Sequence, residues 1–177
     1  MLSNSKIIEA IENGLIEISP FSPDQLNPNS YDLRLGPWVS VYRNKVLDAA
    51  KPQELATEKI GNGITLYPGE LYLMATQEYT YSKAYIPCIE GRSSVGRLGI
   101  NVHATAGFGD IGFKGTWTLE VSVIRPVKIY EGMRICQIYF EECSGEPLFT
   151  YAGKYNGQKT PKASGIYKEK NEWVTPE

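Results

Sequence analysis

Histidine occurs once in this 177-residue sequence and cysteine three times, and nowhere do about twenty apolar residues follow one another. Without such a run there is no membrane-spanning helix. The polar start, Met1-Leu2-Ser3-Asn4-Ser5-Lys6, also lacks the apolar core of a secretory leader. Cys88, Cys136 and Cys143 are an odd number in a chain large enough to fold without staples, which argues for a reduced, cytoplasmic setting. Positive charge is not in excess either: 18 Lys and Arg face 20 Asp and Glu, for a net charge of -2 and a pI near 5.6. Nucleic-acid binding through bulk positive charge is thereby excluded. A few focused arginines can still hold a small anion.

What is present is an ordinary globular composition, 42% hydrophobic and 21% charged, suited to a single domain over residues 1–177. One helix is legible near the start. Ser3, Asn4 and Ser5 are candidate N-caps, Ile7, Ile8 and Ile11 form an apolar stripe, and Gly14 suits the C-terminal cap. Beyond Pro20, Pro23 and Pro28 helical periodicity fades. Strands are predicted at Tyr31–Leu35, Trp38–Tyr42, Ile64–Tyr67, Leu71–Ala75, Ile100–Ala106, Trp117–Ile124, Pro126–Tyr130 and Arg134–Phe140. So many short strands imply a sandwich, jelly roll or barrel.

Within Thr116–Val123 the apolar Trp117, Leu119, Val121 and Val123 alternate with polar residues, which puts Glu120 on a polar face with room for a ligand. From about residue 151 to 177 the tail is rich in Gly, Lys and Ser. It reads either as a lid that orders over a ligand or as a disordered end.

Two Gly-rich segments carry candidate chemistry. Glu90-Gly91-Arg92-Ser93-Ser94-Val95-Gly96-Arg97-Leu98-Gly99 sets two arginines around two hydroxyls, a composition that can offer donors to phosphate oxygens. It is not a P-loop, because no Gly-Lys-Ser/Thr follows at the required spacing. The second, from Ala106 to Gly115, places Asp110 in a turn ahead of the strand that bears Glu120. Taken singly, each has a plain structural reading as well: a surface turn, or an aspartate capping its own backbone.

Together they resemble a known family. Arg92-Ser93-Ser94-Val95-Gly96-Arg97-Leu98-Gly99, His103-Ala104-Thr105-Ala106-Gly107-Phe108, Asp110, Gly112-Phe113-Lys114-Gly115 and Thr118-Leu119-Glu120 are similar to the core signature of dCTP deaminases, within the trimeric dUTPase superfamily. Asn29-Ser30-Tyr31-Asp32-Leu33-Arg34-Leu35-Gly36 extends the likeness upstream. Gly132-Met133-Arg134-Ile135-Cys136-Gln137 and Gly153-Lys154-Tyr155-Asn156-Gly157-Gln158 extend it downstream.

The resemblance implies a mainly β, distorted jelly-roll subunit with an N-terminal helix, a homotrimer, and active sites built between neighbouring subunits. It implies dCTP as substrate, dUTP as intermediate, dTTP as inhibitor, and Mg2+ carried by the triphosphate. It assigns Ser93, Arg97 and Glu120 to deamination. Arg92, Ser94, Lys154 and Gln158 are expected to bind phosphates, with Val95 and Gly96 in the same stretch and Gln137 and Tyr151 near the nucleotide. Thr118 and Leu119 are expected to meet the base through their backbone, and Phe113 to pack on the sugar and exclude a 2′-hydroxyl.

Zinc deaminases hold hydroxide on a metal bound by a His/Cys/Cys set, which lone His103 and Pro87-Cys88 cannot build. Glu120 is therefore the expected water-activating base, with Ser93 orienting the water and Arg97 balancing charge. Gly107-Phe108 is similar to the dipeptide of members that also hydrolyse the product, where Asp110 would position water against the α-phosphate. Gly109 and Ile111 depart from that motif, which suggests a looser loop. The leading expectation is conversion of dCTP to dUMP, ammonia and pyrophosphate. Alternatives are a deaminase that stops at dUTP, a dUTPase alone, and a non-catalytic nucleotide sensor.

Overall fold

The computed structural model describes residues 1–173. Helix α1 runs Asn4–Glu12, and the short turn α2 Ser93–Gly96. The strands are β1 Ile16–Ser19, β2 Tyr31–Tyr42, β3 Leu55–Lys59, β4 Ile64–Leu66, β5 Tyr72–Thr76, β6 Tyr79–Ser82, β7 Tyr85–Gly91, β8 Ile100–Asn101, β9 Lys114–Gly115, β10 Thr118–Val123, β11 Val127–Ile129 and β12 Arg134–Glu142. Among the described residues no helix is long and apolar enough to cross a membrane.

Helix α1 forms where its caps allow. The Ser3 hydroxyl accepts the Lys6 N–H at 3.4 Å, and Gly14, at φ +66°, turns the chain out past Asn13. Ile7 and Ala10 face the core. The N-terminal end is drawn in as well, because the Leu2 N–H donates to the Phe140 carbonyl at 2.8 Å.

The largest sheet has the order β7-β12-β2-β5-β10-β8, with β3 added on β2. A smaller sheet runs β1-β6-β9, and β11 pairs with β4. Every strand pairing is antiparallel. This is the mainly β, distorted jelly roll with an N-terminal helix that the sequence implies. Its core gathers Tyr31, Leu33 and Leu35 of β2, Leu119 and Val121 of β10, and Ile135, Ile138 and Phe140 of β12. Each such side chain contributes about 1.5–3 kcal/mol by leaving water.

The differences from expectation have local causes. Tyr31–Leu35 and Trp38–Tyr42 are one strand, with a register shift between Leu35 and Val39. Gly36 and Pro37 lie inside that irregularity, where Pro37 has no N–H to give the ladder. Pro87 hides strand β7 in the sequence, yet β7 is the outer strand of its sheet, where a proline is tolerated. Strand β8 is shorter than the predicted Ile100–Ala106, because after Asn101 the chain leaves the ladder.

The Gly107–Gly109 loop covers the free side of β7. The Ile89 N–H donates to Gly107 O at 2.6 Å, and the Gly109 N–H donates to Pro87 O at 2.9 Å. A Cβ at Gly107 would lie 2.5 Å from Ile89 O, and one at Gly109 2.4 Å from Trp117 Cη2. Gly109 thus permits close approach, and the loop is pinned where its departure from the motif had suggested looseness.

Phe140 is fully buried where β12 meets the N-terminus. Phe140→Ala is expected to lower unfolding free energy by about 3–5 kcal/mol, read as a drop in urea midpoint at fixed protein concentration.

Candidate functional site

A cavity of about 540 Å³ opens beside β10, lined by Thr118 and Glu120 from that strand, Leu73 from β5, and Asp110, Phe113 and Trp117 from the preceding loop. The tail supplies Tyr151, Lys154, Tyr155, Gln158, Lys162 and Ser164. Strand alternation explains why Glu120 is there. Leu119, Val121 and Val123 are buried, while Thr118, Glu120 and Ser122 look the other way.

The edge of β10 is also left open. Strand β5 covers one side from Thr118 to Val121, but β8 covers only Ser122 and Val123 on the other. Backbone groups alternate between the two edges, so among the described residues those of Thr118 lack a ladder partner on the β8 side, while Leu119 turns its backbone to β5 and its side chain to the core.

Glu120 is half-buried, and one carboxylate oxygen accepts the Ala104 N–H at 3.4 Å. Burial raises its pKa above the usual carboxylate range; the Ala104 N–H and nearby His103 pull more weakly in the opposite direction. Asp110 is exposed at the mouth. Phe113 is buried and packs on Trp117, with ring centroids 4.7 Å apart, and faces Tyr151 at 5.9 Å. The Trp117 indole N–H donates to Thr80 Oγ1 at 2.9 Å, which locks that floor. In the sequence Trp117 shows only as an apolar strand residue; its part in the aromatic floor becomes visible once the tail folds back.

The tail lies against the cavity from Tyr151 to Ser164, and residues 174–177 of the expected lid lie outside the described residues. Gln158 is buried. Its Nε2 donates to Thr116 O at 2.8 Å, its carbonyl accepts the Thr116 N–H at 2.9 Å, and its Oε1 has no partner among the described residues. Its amide hydrogens are thus directed at backbone in this conformation. Lys154 is paired with Glu169, and that carboxylate raises its pKa.

The remaining residues gather elsewhere. Arg92 is the N-cap of α2, Ser93, Ser94, Gly96 and Arg97 are exposed on or just after it, and Val95 anchors it with a side chain buried in the core. Gln137 sits beside its entrance. It accepts the Ser30 hydroxyl at 2.7 Å and donates to Gly91 O at 2.9 Å, which leaves it away from the cavity.

One chain does not bring this cluster to Glu120. In the β10–β8 register Val123 faces Ile100, and the Ile124 N–H then meets Gly99 O, so α2 lies beyond the far end of β10. From Glu120 to Ile124 are four steps of strand, about 13 Å.

Asp32 and Arg34 do not pair with each other. Two residues apart on one strand, they stand about 7 Å from one another, and each finds a nearer partner. Arg34 Nε meets the fully buried Glu78 at 2.6 Å, and Asp32 meets Arg92 Nε at 2.9 Å.

The raised pKa of Glu120 links its protonation to stability. A carboxyl that holds its proton more tightly when folded favours the folded state at low pH, and that contribution is lost as pH rises through the folded pKa. Glu120→Gln is therefore expected to melt above the unaltered protein at about pH 7.5, with the gap closing near about pH 4. Thermal melts at the two pH values read this directly, and a lower Tm at neutral pH would contradict the burial argument.

The sequence profile of the dCTP deaminase-like family matches residues 1–143. A protein of Clostridium acetobutylicum named dCTP deaminase, dUMP-forming, is 45% identical over 172 residues, covering 96% of this chain and 98% of its own. A protein of the same name from Hathewaya histolytica is 46% identical over 170 residues, covering 96% and 99%. The crystal structure of 2′-deoxycytidine 5′-triphosphate deaminase from Agrobacterium tumefaciens superposes with a TM-score of 0.64 at 24% identity, over 80% of this chain and 48% of that longer one. That likeness speaks for the fold. Nearly full-length identity to the two named relatives, on top of the profile match, settles ancestry: the chain belongs to the dCTP deaminase-like family.

Proposed function

We propose that the protein deaminates dCTP at cytosine C4 and then hydrolyses the resulting dUTP, releasing dUMP, ammonia and pyrophosphate. The observation that carries this reading is a half-buried glutamate of raised pKa at an unpaired strand edge, beside an aromatic-floored cavity with an aspartate at its mouth. Support also comes from the relatives, whose names specify dUMP formation.

Water must add to C4 as ammonia leaves. Glu120 takes the proton from water and returns one to N3 or to the departing amine; a pKa lifted toward neutrality suits both transfers. The open β10 edge offers the backbone groups of Thr118 to the pyrimidine, with Leu119 holding the strand on β5 behind it. Phe113, on the Trp117 floor, packs against the sugar and leaves no space for a 2′-hydroxyl. Ser93 orients the water or the exocyclic group, and Arg97 stabilises charge as it develops.

These two residues reach Glu120 from a neighbouring copy. The strand separation within one chain supports that reading, and the family suggests a homotrimer with three such shared sites. The exposed Leu98 and Ile124 beside α2 are apolar surface suited to that contact. Val95 anchors α2 through its buried side chain. Gly96 offers backbone beside the Arg92 and Ser94 donors, and Gln137 holds Gly91 so that this stretch keeps its shape.

For hydrolysis, exposed Asp110 orients a second water against the α-phosphate. Mg2+ fits here as an ion that arrives on the triphosphate. Asp110 offers it one carboxylate, and among the described residues no three His, Cys, Asp or Glu side chains converge. When bound, the ion would offset the negative charge of the triphosphate.

The tail, within a single domain over the whole chain, acts as a lid. Lys154 exchanges Glu169 for phosphate, Gln158 turns its amide toward the nucleotide, and Tyr151 closes over the aromatic floor. A thymine nucleotide would meet the same pyrimidine edge without an amine to lose, which accords with dTTP as an inhibitor.

Incubation with dCTP and Mg2+ is expected to yield ammonia, dUMP and pyrophosphate, resolved by nucleotide chromatography. Asp110→Asn should leave ammonia release but accumulate dUTP, with dUMP formation reduced by about 10²-fold or more. Normal dUMP output from that variant would overturn the role given to Asp110.

A further inference from the structure

Asp32 is buried to 2% exposure, touches no part of the cavity, and yet sits at the hub of the charges around α2. Its Oδ1 receives Arg92 Nε at 2.9 Å and Asn27 Nδ2 at 3.0 Å, and its Oδ2 faces Arg134 Nη1 at 3.6 Å. Arg134 is tied in turn to Asp24, and its backbone carbonyl accepts Arg92 Nη1 at 3.2 Å. Arg92 is thus held from behind through Nε and Nη1. A guanidinium has five N–H groups, so others remain on its outward side, where the side chain is 29% exposed.

The hub matters because Arg92 leads directly into α2. That helix has four residues, too few to hold its own shape, and its N-cap makes no side-chain hydrogen bond to the turn. Its orientation is set by whatever grips it: Val95 in the core, Gln137 on Gly91, and Asp32 on Arg92. A buried ion pair is a poor device for stability compared with apolar packing, but a good one for fixing direction.

We infer that Asp32 is a positioning residue for deamination. By bracing the Arg92 guanidinium it fixes the entry to α2, and with it the Ser93 hydroxyl and the outward Arg92 donors that a nucleotide meets. The inference rests on the proposed function, in which α2 supplies those groups to the site.

Ammonia release from dCTP by the full-length protein is the assay, with kcat measured for Asp32→Asn, Arg92→Lys and the double variant. Asp32→Asn keeps size but loses charge, and Arg92→Lys keeps charge but loses the Nε–H that Asp32 grips. Each single change should lower kcat about ten- to a hundredfold, as expected when a reacting group is misplaced by a fraction of its own length. If Asp32 acts through Arg92, the double variant should be no more than about twofold below the slower single one, because the second change removes a brace already broken.

Normal kcat in Asp32→Asn, or losses that multiply in the double variant, would overturn the inference. Should Asp32→Asn not fold, Arg92→Lys at the partly exposed partner reads the same brace, and normal kcat there overturns it equally. No ammonia from the unaltered protein would instead overturn the functional reading on which the inference stands.

Discussion

The pairing of β10 with β8 decides what this chain can do alone. Period-two alternation aims Glu120 into the cavity, and the same register carries α2 past the opposite end of the strand. A four-step separation of about 13 Å exceeds what a serine hydroxyl can span. Proton transfer needs groups within hydrogen-bond reach of the reacting atoms. If Ser93 and Arg97 serve the chemistry proposed here, they serve it in another subunit's cavity. Assembly with another copy is then a requirement of that chemistry and more than a means of burying surface.

Each half is held by a different kind of contact. Around Glu120 the fixing is apolar and backbone-borne: Phe113 on Trp117, Trp117 on Thr80, and the pinned Gly107–Gly109 loop. Burial is also what raises the carboxyl's pKa, so the fold gives up a little stability there at neutral pH. Around α2 the fixing is polar, through Gln137 on Gly91 and Asp32 on Arg92. Directional bonds suit a short exposed turn whose hydroxyls and guanidiniums must point outward, because packing alone leaves such groups free to rotate.

Much of this is legible without coordinates. Alternation in Thr116–Val123 marks Glu120 as facing open space, and the caps of α1 are explicit in Ser3 and Gly14. Short strands between turn residues point to a β fold, and the motifs around Ser93, Asp110 and Glu120 point to the family that the profile match shows. What stays hidden depends on distant contacts. Strand β7 carries Pro87, a breaker that only its edge position excuses. The need for Gly109 lies in Trp117, eight residues on in sequence, and in Pro87 far upstream. Asp32 and Arg34 show in the sequence only as charges on one strand, and nothing local reveals that their partners are Arg92 and Glu78. Gln158 is expected at phosphate from its motif, and only the folded tail shows that its amide rests on Thr116 in this conformation.

Subunit complementation tests the shared site most directly. Glu120→Gln and Arg97→Ala each disable one half, so each variant alone should release almost no ammonia from dCTP. Dissociated, mixed in equal amounts and reassembled as rings, they should regain about a quarter of the unaltered activity, since one site in four then joins two sound halves. Mixtures that stay as inactive as their parents would contradict a site shared between copies.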